Sequence, residues 1–196
     1  MSVSPATKTR SRNAAATRQA ILAAARQHFA RESYENVGLR EIAGDVGVDP
    51  ALVSRYFGGK EELFREVLRD AGSGTLFDGI TADTLPGHLV SLILDGNKDC
   101  EAAAAHLDRL LIVLRSATSP KAAAIVYEAI DEIILAPVAA CIGTPDARLR
   151  AGLALTVLMG SGMVRNVMRV KSISQAEETA LRAHLTALFE TALNAA

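Results

Sequence analysis

Apolar residues recur every three or four positions along most of the chain, which is the spacing of one buried helical face. In the first third of the sequence, this spacing predicts a helix that begins near Asn13 and ends near Arg31. Three shorter helices are expected after it, at residues 39–46, 50–57 and 60–70.

Residues with special backbone preferences mark the boundaries of the short helices. Gly47 suits the left-handed conformation that ends a helix, Asp49 is a good N-cap, and Pro50 suits a first helical position. Gly58 and Gly59 are expected to end the helix that Pro50 begins. The first two short helices are therefore joined by a tight turn of three residues.

The rest of the chain follows the same period and predicts five further helices, at residues 86–97, 99–117, 120–142, 145–170 and 174–194. Ser119 and Thr144 precede prolines as N-caps, and Ser174 with Glu177 has the spacing of a capping box. Pro137 falls inside the third of these helices and is expected to kink it.

Composition supports an all-α fold. Of the 196 residues, 49% are hydrophobic but only 4% are aromatic, and there is no Trp, which favours packed helices over a sandwich of short strands.

Charge is distributed unevenly, although the net charge is only -1. Residues 1–31 contain basic residues and no acidic ones. Residues 1–13 also have too few apolar residues to fold, so we expect a basic disordered arm in which Lys8, Arg10 and Arg12 are candidates for contact with a nucleic acid.

The sequence contains no pattern typical of a catalytic or metal site. The four histidines lack an i, i+4 pair, and the two cysteines lack the spacing of a metal site. The apolar run from Leu153 to Met168 is interrupted by polar residues, which excludes a membrane span. We therefore expect a cytoplasmic protein without a cofactor, a metal or catalytic residues.

A two-turn helix, a glycine turn and a second short helix form the helix-turn-helix arrangement, whose second helix enters the major groove of DNA. The sequence LREIAGDVGVDPALVSRYFGGKEEL at residues 39–63 closely resembles the corresponding stretch of the tetracycline-repressor (TetR) family. The preceding HFARESYENVG resembles the end of that family's first helix. The resemblance covers about residues 14–70.

The resemblance implies a three-helix DNA-binding head, a connecting helix, a helical-bundle body that binds a ligand, and a homodimer formed through the last two helices. The expected divisions are the arm at 1–13, the helix-turn-helix domain at 14–59, the connecting helix and a hinge at 60–74, and the ligand-binding and dimerisation domain at 75–196. The dimer is expected to bury apolar residues of the last two helices, which include Leu149, Leu153, Leu181, Leu185, Leu188 and Leu193.

Seven residues match family positions that face DNA: Arg40, Pro50, Ala51, Ser54, Arg55, Tyr56 and Lys60. Pro50, Ala51 and Arg55 match positions that face the groove, and of these only Arg55 could form a bidentate pair with guanine. Tyr56 and Lys60 match phosphate-binding positions, and Arg40 matches one that reaches a base or a phosphate. Ser54 stands where a tyrosine is frequent and Leu52 where a small hydroxyl residue is common, so the base preference does not transfer from the family.

The apolar residues of the body either fill a core or line a pocket. Candidates for the pocket wall are His106, Arg109, Leu110, Tyr127, Ile130, Met159 and Met163, because methionine adapts to varied ligands and a few polar groups orient them. Aromatic residues are scarce in the body, which favours a lipophilic, non-planar effector.

These expectations define a ligand-responsive regulator that binds a palindromic operator in double-stranded DNA as a dimer and acts as a repressor, released by a small lipophilic effector. Two alternatives stay open. One is an activator or ligand-independent regulator, and the other is a helical small-molecule carrier or enzyme.

Overall fold

The computed structural model describes residues 5–70, 76–95, 100–117 and 119–194, and the side chains of residues 5–13 and 100–107 lie outside this description. Within these ranges the secondary structure is helical, as composition predicts. The α-helices are α1 (Pro5–Arg31), α2 (Leu39–Val46), α3 (Pro50–Phe57), α4 (Lys60–Asp70), α5 (Leu85–Leu94), α6 (Cys100–Ser116), α7 (Pro120–Ile130), α8 (Ala136–Ile142), α9 (Ala147–Gly162), α10 (Lys171–Ser174) and α11 (Glu178–Asn194).

The first helix is longer than expected. α1 begins at Pro5 rather than near Asn13, so residues 5–13 have helical backbone where a disordered arm is predicted. Proline is favoured at a first helical position, and the alanines and arginines that follow have high helix propensity. The side chains of Lys8, Arg10 and Arg12, residues 1–4 and the expected hinge at 71–74 lie outside the description.

A π turn interrupts the helix in which Pro137 is predicted to cause a kink. The helix expected at 120–142 consists of α7, a π turn at Asp131–Leu135, and α8, in which Pro137 occupies the second position. A proline has no backbone N–H and its ring crowds the carbonyl one turn earlier. The wider π turn directly before α8 accommodates that loss of a regular hydrogen bond.

The N-cap predictions have different outcomes. Ser119 caps α7, since its Oγ accepts from Ala122 N at 3.2 Å. The prediction for Thr144 is wrong, because α9 begins at Ala147 and the Thr144 hydroxyl instead donates to the Asp146 carboxylate at 2.7 Å.

The capping box predicted for Ser174 and Glu177 is also wrong. Ser174 ends the short helix α10, and α11 begins at Glu178. The Glu177 carboxylate accepts from the backbone N of Thr179 at 2.9 Å and of Ala180 at 2.7 Å. Glu177 is thus itself the cap, because its carboxylate accepts from two N–H groups of the first turn that have no partner within the helix.

The helices pack around two hydrophobic cores. The first core joins α1–α4 to α6 and α7, and it contains Phe29, Tyr34 and Phe64. The Phe64 ring centroid lies 4.8 Å from that of Phe29 and 5.0 Å from that of Tyr34. The second core joins α5, α8, α9 and α11 around Phe189. The N-terminal helices therefore share their core with α6 and α7 of the body.

A row of ion pairs connects α4 to α7 and the adjoining π turn at the edge of the first core. Glu61 pairs with Lys121, Arg65 with Glu128, and Arg69 with Glu132, the last at 2.9 Å. The α4 members are four residues apart and so lie on one face of the helix. Exposed pairs add little stability individually, but the row fixes how α4 lies against α7.

The first core predicts a difference between two leucine truncations. Leu63 is 0% exposed in this core, whereas Leu114 on α6 is 37% exposed. We expect Leu63→Ala to lower the free energy of unfolding by about 2–5 kcal/mol, because it leaves a cavity. Leu114→Ala should cost about 0.5 kcal/mol or less. Urea unfolding followed by circular dichroism measures both, and equal losses would contradict this account of the core.

Candidate nucleic-acid interface

The turn between α2 and α3 is built by local backbone contacts. Gly47 adopts a left-handed conformation with φ of 71°, and its N–H donates to the carbonyl of Gly44 at 3.1 Å. Val48 N donates to Ala43 O at 3.0 Å. The Asp49 carboxylate then accepts from Ala51 N at 2.7 Å and starts α3. The stop at Gly47, the Asp49 cap and the Pro50 start, all predicted from sequence, are confirmed.

Helix α3 is divided into a buried and an exposed face. Val53 is 0% exposed and Phe57 is 5% exposed, and both belong to the first core. The opposite face is exposed and consists of Pro50, Ala51, Ser54 and Arg55. The three residues predicted to face the groove and the DNA-binding candidate Ser54 are thus all on the exposed face of the helix.

Arg55 and Tyr56 adjoin at the end of this surface. The Arg55 guanidinium carbon lies 6.0 Å from the centroid of the Tyr56 ring, at the limit of a cation–π contact. Tyr56 is half-buried and packs against the first core, while Arg55 is exposed. The Arg55 guanidinium is therefore exposed to solvent beside an aromatic ring.

Arg40 lies exposed in the first turn of α2. Gly38 lacks the side chain that usually caps this helix, but the Glu41 carboxylate accepts from Gly38 N at 3.1 Å. Glu41 thus provides half of a capping box and anchors the start of α2. Sequence analysis did not identify this role.

Lys60 occupies the first position of α4 and is held by the preceding loop. Its Nζ donates to the carbonyl of Glu35 at 3.1 Å and lies 4.6 Å from the centroid of the Tyr34 ring. Burial lowers the pKa of Lys60, while the carboxylates of Glu35 and Glu41 act in the opposite direction. The ammonium is therefore directed by fixed neighbours and is only partly surrounded by solvent.

Two arginines of α1 are neutralised within the protein. Arg18 pairs with Glu66 and lies over the Phe57 ring, with 4.8 Å from the guanidinium carbon to the centroid. Arg26 pairs with Asp70 at 3.3 Å. These arginines tie α1 to α3 and α4, so they contribute less to an external positive field than a count of basic residues indicates.

The predicted pocket residues are distributed around the body. Leu110 is 5% exposed, whereas Tyr127 is 65% exposed and so does not line the interior of the chain. Arg109 is partly buried, its Nε is buried without a hydrogen-bond partner, and burial lowers its pKa. Ile130 packs against the first core, while Met159 and Met163 are partly buried. The side chain of His106 lies outside the description.

Part of the predicted dimer surface is buried within the chain. Leu181, Leu185 and Leu193 of α11 belong to the second core. Their place in that core shows that the apolar face of α11 serves mainly its own subunit. The large apolar residues left exposed on α9 and α11 are Leu149, Leu153 and Leu188.

The described residues form neither a metal site nor a membrane-spanning helix. Among the residues with described positions, no group of three or more metal-ligating side chains is arranged to hold an ion. No helix in that part of the chain combines the length and hydropathy needed to cross a bilayer.

Comparison with known proteins supports both parts of the fold. The family profile described as "Bacterial regulatory proteins, tetR family" matches residues 21–67, and "Tetracyclin repressor-like, C-terminal domain" matches residues 83–193. The chain therefore belongs to the TetR family of DNA-binding transcriptional regulators.

Solved structures share this fold. A TetR-family regulator from Streptomyces coelicolor A3 is 26% identical with a TM-score of 0.54, covering 91% of this chain and 94% of that one. A transcriptional regulator from Rhodococcus sp. Rha1 is 24% identical with a TM-score of 0.62, covering 90% and 96%. Salmonella enterica GusR is 23% identical with a TM-score of 0.61, covering 89% and 95%. No curated protein sequence matches the chain significantly.

Proposed function

We propose that this protein is a dimeric repressor that binds a palindromic operator through α3 and is released by a small lipophilic effector. The observation that carries the proposal is the exposed face of α3, on which Pro50, Ala51, Ser54 and Arg55 are contiguous. A helix presented in this way fits the major groove. Arg55 is the base-reading residue, and Arg40, Tyr56 and Lys60 hold the sugar–phosphate backbone around it.

The proposed dimer interface is the outer face of α9 and α11. On α9, Leu149 is 66% exposed and Leu153 is 43% exposed, and on α11 Leu188 is 52% exposed. The small exposed residue Gly160 continues the α9 face and allows a second helix to approach closely. Two helices from each subunit would form a four-helix interface around a two-fold axis and align two heads on one operator.

The proposed effector site lies between the two cores. Leu110, Met159 and Met163 belong to neither core. Helix α6, which carries Arg109 and Leu110, packs against the π turn that begins at Met163. An apolar ligand would contact these side chains, and Arg109 would orient its polar end.

Release of DNA would require the effector to favour a conformation in which the heads are misplaced. Helix α4 begins at Lys60 and is joined to α7 and the adjoining π turn by the row of ion pairs. A ligand that displaces α7 would therefore move α4 as well. This contact provides the route by which the effector site reaches the DNA-binding surface.

Selection of bound sequences from random duplex DNA tests the proposed function. The wild type should select half-sites related by two-fold symmetry, with centres about 34 Å apart or near a multiple of it. Arg55→Ala should weaken binding to the selected operator by about 1–3 kcal/mol and relax the preference at one base pair of each half-site. The exposed body arginine Arg169, changed to alanine, controls for the loss of one positive charge. Unchanged base preference in Arg55→Ala would exclude Arg55 as the base reader.

Lys60→Ala should act differently, because a phosphate contact carries no sequence information. We expect affinity to fall about tenfold near 100 mM salt for selected and random duplexes alike. The plot of the logarithm of the association constant against log salt should become less steep by about 0.9. Fluorescence anisotropy over a salt series measures both. If the slope does not change, Lys60 does not contact a phosphate.

The dimer interface is tested by placing a charge on it. Leu153→Glu should raise the dimer dissociation constant at least about 100-fold, because an unpaired carboxylate buried in an interface costs about 3–5 kcal/mol. Leu114→Glu is the matched control, since Leu114 is similarly exposed at 37% but lies on α6. Sedimentation velocity measures the dissociation, and a Leu153→Glu protein that stays dimeric would place the interface elsewhere.

A further inference from the structure

Lys60 is docked onto a two-residue segment of the loop that joins α1 to α2. Its ammonium donates to the carbonyl of Glu35 and lies against the ring of Tyr34. A lysine side chain has a long flexible stem, so these two contacts reduce the number of directions in which its charge can point. The position of this segment therefore determines where the ammonium lies.

The segment is held from two sides. Tyr34 is 4% exposed and is fixed in the first core between Phe29 and Phe64. The carboxylate of Glu35 points to the body, where its Oε1 accepts from the hydroxyl of Ser119 at 2.5 Å. The second of these contacts is a direct hydrogen bond between the loop and the start of α7.

Ser119 is well placed to transmit a movement of the body. It is 3% exposed, and the same oxygen that donates to Glu35 accepts from Ala122 N as the cap of α7. Two residues on, Lys121 pairs with Glu61, which follows Lys60 in α4. The start of α7 therefore touches both the loop that carries Glu35 and the helix that carries Lys60.

We propose that Ser119 and Glu35 are positioning residues for the DNA contact of Lys60, and that their hydrogen bond makes phosphate binding depend on the position of α7. This inference rests on the proposed contact between Lys60 and a phosphate. When α7 moves away from the head, Glu35 loses its partner, the segment loosens, and Lys60 binds the phosphate less well. The protein with ligand bound to its body would therefore bind all DNA sequences more weakly.

The test compares variants that break the contact with matched controls. Ser119→Gly removes the hydroxyl but keeps an acceptable helix cap and changes no charge. Glu35→Ala removes the acceptor, and Glu32→Ala removes the same charge from the same loop at an exposed residue for which the structure shows no side-chain partner. Each variant is also made in a Lys60→Ala background. Urea unfolding confirms that every protein is folded.

Binding to a fluorescein-labelled duplex that carries the selected operator is measured by anisotropy over about 50–200 mM salt. We expect Ser119→Gly to bind about 3–10-fold more weakly than the wild type, and Glu35→Ala about 3–10-fold more weakly than Glu32→Ala. Both substitutions should make the dependence of log affinity on log salt less steep by up to about one, since at most one phosphate contact is lost. In the Lys60→Ala background these differences should disappear.

Two results would overturn the inference while leaving the proposed function intact. One is equal binding by Glu35→Ala and Glu32→Ala together with normal binding by Ser119→Gly. The other is a loss of affinity that remains in the Lys60→Ala background. That result would mean that the hydrogen bond between Ser119 and Glu35 supports the fold and does not position Lys60. If the wild type selects no duplex, the proposed function fails and this inference fails with it.

Discussion

Packing of Phe64 of α4 against Phe29 and Tyr34 is the contact on which the DNA-binding surface and the body both depend. The first core continues from these rings into Ile112 of α6 and Ile125 of α7. The helix-turn-helix therefore rests on side chains that also hold the body. Closely packed interiors transmit strain, and α7 shares this core with the head, so the proposed release of DNA requires no separate connection between them.

Polar contacts also join the head to the body around this core. The row of ion pairs links α4 to α7 and the adjoining π turn, and Ser119 at the start of α7 donates a hydrogen bond to Glu35. Such contacts are individually weak because solvent competes for them. They can therefore be broken and re-formed at small energetic cost, while the rings beneath them keep the helices together.

The candidate interface combines two kinds of recognition with different structural origins. The proposed base-reading contact depends on one exposed side chain, Arg55. Its position is determined by where α3 begins and ends. The proposed phosphate contact of Lys60 depends on a loop and on the body. In this proposal, control of affinity by conformation acts on the phosphate contact, and sequence preference depends on α3, which Asp49 and Gly58 delimit.

The sequence by itself determined those features that depend on residues within one helical turn. The glycine stop at Gly47, the cap at Asp49 and the alternation of buried and exposed positions along α3 follow from local geometry, and the predicted groove-facing residues lie on one surface. The tertiary structure alone decided the pairing of Arg18 with Glu66, 48 residues away, and of Ser119 with Glu35, 84 residues away. Such partners share no period or spacing, because only the packing of complete helices brings them together. For the same reason, the sequence overestimated the apolar face of α11 left for a dimer, since Leu181, Leu185 and Leu193 are buried in the core that α11 shares with α5 and α9.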